Sequence, residues 1–323
     1  MMNDIIPPET SAQIPFTNPA NTQKTILPWL VVGTIPDAAF PLTLAPVLLA
    51  PAPSTNSRSH DTLRLGDSFV PVNRGTPALL AAMTIMATCL EAKSPFLALV
   101  AGDTGDGAGS RAVYAQLVNL LEKRTFSGVT FHYLMPDVDW HNRILLSIEA
   151  LHSPPLLVAD AGFMYSAKMS GYAAKYDLFT PDIGELAFLA DAEAPHPFYT
   201  RNFLLADESA APDLLTKAHV QGNTARHMLV KGKIDRFIHK GKTLYSLDKP
   251  DIPTLEPVGG TGDTITGIVT ACLAAGMPMT QACPLAMRLN RQMGALASPT
   301  PASSIAGLLQ WLPEAVRREG RGE

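Results

Sequence analysis

Val258-Gly259-Gly260-Thr261-Gly262-Asp263-Thr264 is the stretch on which the reading of this chain turns. Three glycines remove Cβ atoms where the backbone must bend sharply. The residues that follow place Ile265, Ile268, Val269, Cys272 and Leu273 at helical spacing, and Gly276 and Pro278 supply a stop. The pattern predicts a helix over 263–275 that opens inside the glycine run. Free backbone N–H groups and the positive end of the helix dipole make such an opening an anion site, suited to a phosphate or a developing oxyanion. Asp263 would stand beside that anion, where like charge is costly unless the carboxylate moves a proton or meets a metal. Asp263 could instead simply cap the helix. A cap, however, does not require three preceding glycines, and the combination favours a functional anion loop.

Outward from this loop, short apolar runs alternate with helical patterns. Strands are expected at 26–32, 47–50, 96–100, 129–134, 156–159, 177–179 and 227–230, several of them apolar throughout, as in strands covered on both faces. Helices are expected at 76–92, with Pro77 near its start, at 110–123, from about Gly184, and then at 263–275, 280–297 and 303–318. The alternation predicts an α/β three-layer sandwich with a central, mostly parallel sheet flanked by helices. Residues 236–245 read as two short strands around a Lys240-Gly241 turn, a hairpin added to the sheet. Residues 1–24, rich in Pro, Asn, Thr and Gln, read as an irregular N-terminal arm, and 25–323 as one domain without repeats.

Composition narrows the function. The 323 residues are 46% hydrophobic and 17% charged, enough for a large core without disulfides. A net charge of -4 from 29 acidic and 25 basic residues, with no basic block, argues against nucleic acid or an anionic membrane as partner. A small-molecule substrate is the better expectation, and nothing excludes a homo-oligomer. Cys89, Cys272 and Cys283 form no C-x-x-C and read as reduced core residues of a cytoplasmic protein. The eight histidines show no zinc spacing. Residues 1–9 lack a signal-peptide pattern. The apolar stretch 30–52 is interrupted by Asp37 and repeated prolines, which disqualifies it as a spanning helix.

The run Gly259-Gly260-Thr261-Gly262-Asp263-Thr264-Ile265-Thr266-Gly267 resembles the G-(T/A)-G-D motif of the ribokinase-like superfamily, in the G-G-T-G-D form of its NAD(P)H-hydrate dehydratases. Leu157-Val158-Ala159-Asp160-Ala161, Thr180-Pro181-Asp182-Ile183-Gly184-Glu185-Leu186 and Leu229-Val230-Lys231-Gly232 are similar to that family's D-A-D, T-P-H-P-G-E and L-K-G segments, in its order, and Asn73-Arg74-Gly75 matches its first glycine-alanine helix more weakly. The resemblance spans about residues 70 to 315. It implies a ribokinase-like fold, ATP or ADP as donor, and Mg2+ organised with the nucleotide through Glu185. It also implies Asp263 as catalytic acid/base beside an anion hole of Gly259, Gly260, Thr261 and Gly262, Lys231, Gly232 and Thr264 near the nucleotide, and Asp160 and Asp182 on the substrate or metal network. The motif's histidine is Asp182 here, its proline Ile183, and an L-H-G feature reads Leu289-Asn290-Arg291.

A second glycine loop, Gly102-Asp103-Thr104-Gly105-Asp106-Gly107-Ala108-Gly109-Ser110, follows an expected strand and opens a helix. Ala108 stands where a P-loop needs Lys, and the spacing fits a dinucleotide fingerprint poorly. Asp103 and Asp106 contact substrate or metal, or merely form the turn. Asp137, Asp139 and His141 lack the pattern of a calcium loop and read as a solvated turn. Arg111 and Lys168 serve phosphate or stay as surface charges.

Three functions are therefore expected in turn. The first is a dehydratase that phosphorylates the hydroxyl of hydrated NADH or NADPH and eliminates phosphate. The second is a kinase for a small alcohol, sugar or vitamin precursor, suggested by Asp182 and Asn290. The third is an inactive nucleotide-binding sensor, against which the intact Asp263 speaks.

Overall fold

In the computed structural model the described residues are 26–50, 61–197, 200 and 208–322; the expected arm, 1–24, lies outside them. Among these residues eleven strands form one sheet: β1 (Trp29–Ile35), β2 (Thr43–Leu49), β3 (Thr62–Leu65), β4 (Ser68–Pro71), β5 (Phe96–Gly102), β6 (Gly128–His132), β7 (Leu156–Ala159), β8 (Leu178–Phe179), β9 (His227–Val230), β10 (Asp235–His239) and β11 (Lys242–Leu247). Their order is β11-β10-β9-β8-β7-β6-β1-β5-β2-β3-β4. The strands from β5 through β1 and β6 to β9 are parallel, while β2, β3 and β4 on one flank and β10 and β11 on the other run antiparallel to their neighbours.

Two helical layers cover this sheet. One holds α1 (Thr76–Cys89), α7 (Thr261–Ala274), α8 (Met279–Ala297), α9 (Ile305–Leu309) and α10 (Leu312–Arg321). The other holds α2 (Ala108–Leu121), α3 (Val138–Glu149), α4 (Phe163–Met169), α5 (Ile183–Ala190) and α6 (Ala211–Val220). Strand β1 shows why the layers form: all seven of its residues are buried. Its pleat sends Trp29, Val31 and Ile35 into the first core and Leu30 and Val32 into the second. A strand with two apolar faces has no solvent side, so both faces need helices.

Local chemistry sets the turns. Lys240 and Gly241 both have positive φ, 48° and 75°, the geometry of a primed two-residue turn joining β10 to β11. Helices α1 and α7 pack closely because Gly267 has no side chain: a Cβ there would lie 2.3 Å from the Leu79 carbonyl oxygen of α1. Among the described residues no helix is long and apolar enough to cross a membrane.

Several expectations are corrected. Asp137 and Asp139 do not form a solvated turn; Asp137 caps α3 by accepting from the Trp140 N–H at 3.0 Å, and His141 is buried with its Nε2 2.9 Å from the Tyr176 hydroxyl. The expected helix 303–318 is two, because Pro313 tolerates only a first-turn position and begins α10 afresh. The β3–β4 hairpin, α4 and α6 were not anticipated, each being too short to show a decisive period.

Candidate functional site

The parallel strands bring their C-terminal ends to one edge, where open α/β sheets bind ligands. Asp160 follows β7, Asp182 lies just past β8, and Lys231 and Gly232 follow β9. The start of α7 meets them from the layer above. Together they line a cavity of about 790 Å³ whose walls include Gly260, Thr261, Gly262, Asp263, Asp182, Glu185 and Asn290.

The opening of α7 is unblocked by its own chain. Gly260 is the residue before the helix, in the left-handed region at φ 104°, and no side chain caps the first turn. The Lys231 ammonium lies over this loop: a Cβ added to Gly262 would sit 3.7 Å from Nζ. The first turn is braced from α8 by Asn290, whose Oδ1 accepts from the Thr264 hydroxyl at 2.7 Å and whose Nδ2 donates to the Thr261 carbonyl at 3.1 Å. The residue that departs from the family pattern is thus the one that holds the loop. Thr264 is buried beneath it and points to Asn290.

Asp263 is 7% exposed and lines the cavity. Its Oδ2 accepts from the Gly75 N–H at 2.6 Å, and its Oδ1 lies 3.2 Å from His132 Nε2. Burial pushes its acidity down, but His132, Lys231 and the Gly75 N–H outweigh burial and hold the carboxyl below the usual carboxylate range. Asp263 is therefore an ionised acceptor at a helix start.

Below it runs a charged pair. Lys231 Nζ donates to both oxygens of Asp160, at 3.0 and 2.9 Å, and Asp160 also accepts from the Thr266 hydroxyl at 2.7 Å. Burial opposes the charge on Lys231, yet Asp160, Glu185 and Asp263 raise its pKa. Glu185 is buried and doubly held: Oε2 accepts from the Asp182 N–H at 2.8 Å and Oε1 from the Tyr165 hydroxyl at 2.8 Å. Asp182 returns the bond, accepting from the Glu185 N–H at 2.7 Å, so the two form a capping box at the start of α5. Burial, together with Asp182 and Asp160, pushes the Glu185 carboxyl up to about 8.

At the far wall, Gly232 permits close approach, since a Cβ there would meet Glu208 Oε1 at 2.0 Å. Arg291 clasps the loop after β9 through Asp235 at 2.7 Å and the Gly232 and Lys233 carbonyls at 3.0 and 2.8 Å.

Other candidates lie elsewhere. Asp103 and Asp106 do not line the cavity. Asp103 accepts from the N–H groups of Gly105, Gly107 and Ser110 and from the Ser110 hydroxyl, at 2.8–3.1 Å, while Asp106 accepts from the Ala108 N–H. Lys168 donates to the Asp191 and Ala194 carbonyls, both at 2.8 Å, and Arg111 to the Asp106 carbonyl. Each holds its own loop. Three residues of the site escaped sequence reading: Gly75 as a donor to Asp263, Thr76, and His132. The signal for His132 was an imidazole at the C-terminal end of a strand that is otherwise free of charged groups.

Comparison with known proteins bears on the fold. No family model matches the chain. The uncharacterized protein MJ1337 of Methanocaldococcus jannaschii is 33% identical over 219 residues, 68% of this chain and 90% of that protein. Among solved structures, a ribokinase-like superfamily protein of Enterococcus faecalis covers 94% of this chain and 91% of its own, at 14% identity and TM-score 0.55. Pyridoxal kinase of Bacillus subtilis, solved as an ADP complex, covers 82% and 90% at 15% identity and TM-score 0.50. Phosphofructokinase-2 of Escherichia coli covers 90% and 100% at 13% and 0.51. Likenesses at this identity establish the fold. The chain has the ribokinase-like fold and belongs to one family with the Methanocaldococcus jannaschii protein MJ1337.

Proposed function

We propose that this protein is an ATP- or ADP-dependent enzyme that transfers a phosphoryl group to the hydroxyl of a small molecule, a kinase. The observation that carries this reading is the ionised Asp263 carboxylate at the open start of α7, with the Lys231 ammonium over the same loop. Asp263 takes the proton of the acceptor hydroxyl as its oxygen bonds to phosphorus and the bond to the departing nucleotide breaks. The N–H groups of 260–262 and Lys231 face the charge that develops on the transferring group. Structural likeness to kinases, one crystallised with ADP, supports the same class.

The cavity is lined by Asp160, Asp182, Glu185, Glu208, Asp235, Asp251, Glu256 and Asp263 against Lys231, Lys233 and Arg291. An anionic nucleotide entering so acidic a cavity fits best with a divalent cation. Mg2+ is usually held mainly by the phosphates and one or two carboxylates. Asp182 would face it, and a cation there would draw the raised Glu185 carboxyl into its ionised form. Bound Mg2+ supplies charge neutralisation on the phosphate oxygens.

The dehydratase reading keeps the same first step and adds elimination of phosphate from hydrated NADH or NADPH; the Gly-Gly-Thr-Gly-Asp form of residues 259–263 favours it. Incubation of the full chain with ATP or ADP, Mg2+ and a panel of small alcohols, alongside hydrated NADH and NADPH, separates the readings. A stable phosphorylated alcohol supports the kinase; recovered dihydronicotinamide absorbance with inorganic phosphate supports the dehydratase. Nucleotide binding with no turnover in either arm leaves only the sensor.

A further inference from the structure

On strand β6 alternate residues face α7. Thr130 bonds to the Thr270 hydroxyl at 3.0 Å, and His132, two positions on, faces Asp263, seven residues earlier in the helix. The ring of His132 is fully buried. Its Nδ1 lies 3.1 Å from the Thr76 hydroxyl at the start of α1, and its Nε2, without a well-formed hydrogen bond, is aimed between Asp263 Oδ1 at 3.2 Å and Asp160 Oδ2 at 3.7 Å. Gly33 makes the arrangement possible: a Cβ there would meet the His132 carbonyl at 2.7 Å and Thr76 Oγ1 at 2.8 Å.

We infer that His132 is the positioning residue of the Asp263 base, its proton fixed on Nε2 by the Thr76 hydroxyl behind it. A lone pair on Nε2 would face two carboxylate oxygens across a buried gap, whereas a proton there meets both attractively. The Thr76 hydroxyl then donates to Nδ1. With Gly75 N–H on Oδ2 and His132 on Oδ1, both oxygens of Asp263 are oriented, and the remaining lone pairs face the cavity. Catalytic hydrogen bonds of this length tighten when the reacting groups are in place. The charged and titratable groups around the ring are Asp263 on α7, Asp160 after β7, Lys231 after β9 and Tyr133 just past the end of β6, whose ring centroid is 4.7 Å away.

The catalytic consequence rests on the phosphoryl-transfer reading; the proton placement does not. Long-range 1H–15N spectra of the 15N-labelled full chain, with the His132 signals assigned through H132Q, test the placement directly. The expected spectrum has the proton on Nε2, moves in D263N, and becomes a mixture of tautomers in T76V. A proton on Nδ1, or signals indifferent to both variants, overturns the inference even where turnover is found. In the phosphoryl-transfer assay H132L should lower kcat/KM about 100-fold, with the loss in kcat and the acid limb of the pH profile moved upward, because Asp263 loses a partner that keeps it ionised. H132Q, which retains an N–H donor, should recover part of that loss. An H132L profile unchanged in position overturns the role while leaving the kinase reading standing.

Discussion

Two glycine-rich loops in this molecule open helices, and they come to opposite ends. At the start of α2, Asp103 folds into the loop and accepts three backbone N–H groups and the Ser110 hydroxyl. Burial raises its pKa, but these donors outweigh burial and hold it below the usual range. The anion site at α2 is thus filled by the chain's own carboxylate, 8% exposed. At the start of α7 the equivalent place has no side chain in it and faces the 790 Å³ cavity. Asp263 sits in the first turn and is turned instead toward Gly75 and His132. Glycine content makes an anion site; whether the chain supplies its own anion decides whether the site serves structure or ligand.

The comparison can be broken most sharply at the two aspartates. Asp263→Asn should lower turnover about 1,000-fold while ADP still raises the melting temperature; loss of nucleotide binding together with turnover would show that Asp263 builds the loop instead of working in it. Lys231→Met leaves Asp160 buried without its cation and should cost about 3 kcal/mol in urea unfolding, with nucleotide affinity reduced about tenfold or more. Asp103→Ala should cost a similar or slightly smaller amount, about 2–3 kcal/mol, by orphaning buried donors, yet leave nucleotide affinity unchanged. Should that variant bind nucleotide poorly at full stability, the α2 loop would be a ligand site and the contrast would fall.

Gly267→Ala tests what places the open loop. Its methyl would strike the Leu79 carbonyl, and a loss of about 1–3 kcal/mol is expected in the same unfolding measurement. A pH dependence is expected at Glu185. Its carboxyl is raised to about 8 in the fold, so the stability it contributes is present at pH 4 and lost as pH rises through 8. Melting temperatures of wild type and Glu185→Gln between pH 5 and 8.5 should therefore draw closer at the acid end and separate at the alkaline end, the wild type falling faster.

Much of this was legible in order along the chain. Strands β7 and β9 fall at their expected bounds, because a short, mostly apolar run between turn residues reads as a strand of a parallel sheet. The Lys240-Gly241 hairpin was equally legible from its turn. The β3–β4 hairpin was not, since two four-residue strands carry too few alternations to stand out. Asp137 was misread because a helix cap and a solvated turn use the same residue types. His132 could not be read as part of the site, since its partners Thr76 and Asp263 are 56 and 131 positions away in the chain and only the sheet brings them together.

The sequence by itself determined the layered α/β architecture and the existence of two glycine-opened helices, since period and glycine placement are local properties that any packing must respect. Only the tertiary structure decided which helix start remains open. Asp103 reaches the amides of its own loop within seven residues, whereas the carboxylate near α7 is drawn away by groups from α1 and β6. Competition among distant partners for one carboxylate is a matter of three-dimensional distance, and no spacing along the chain records it.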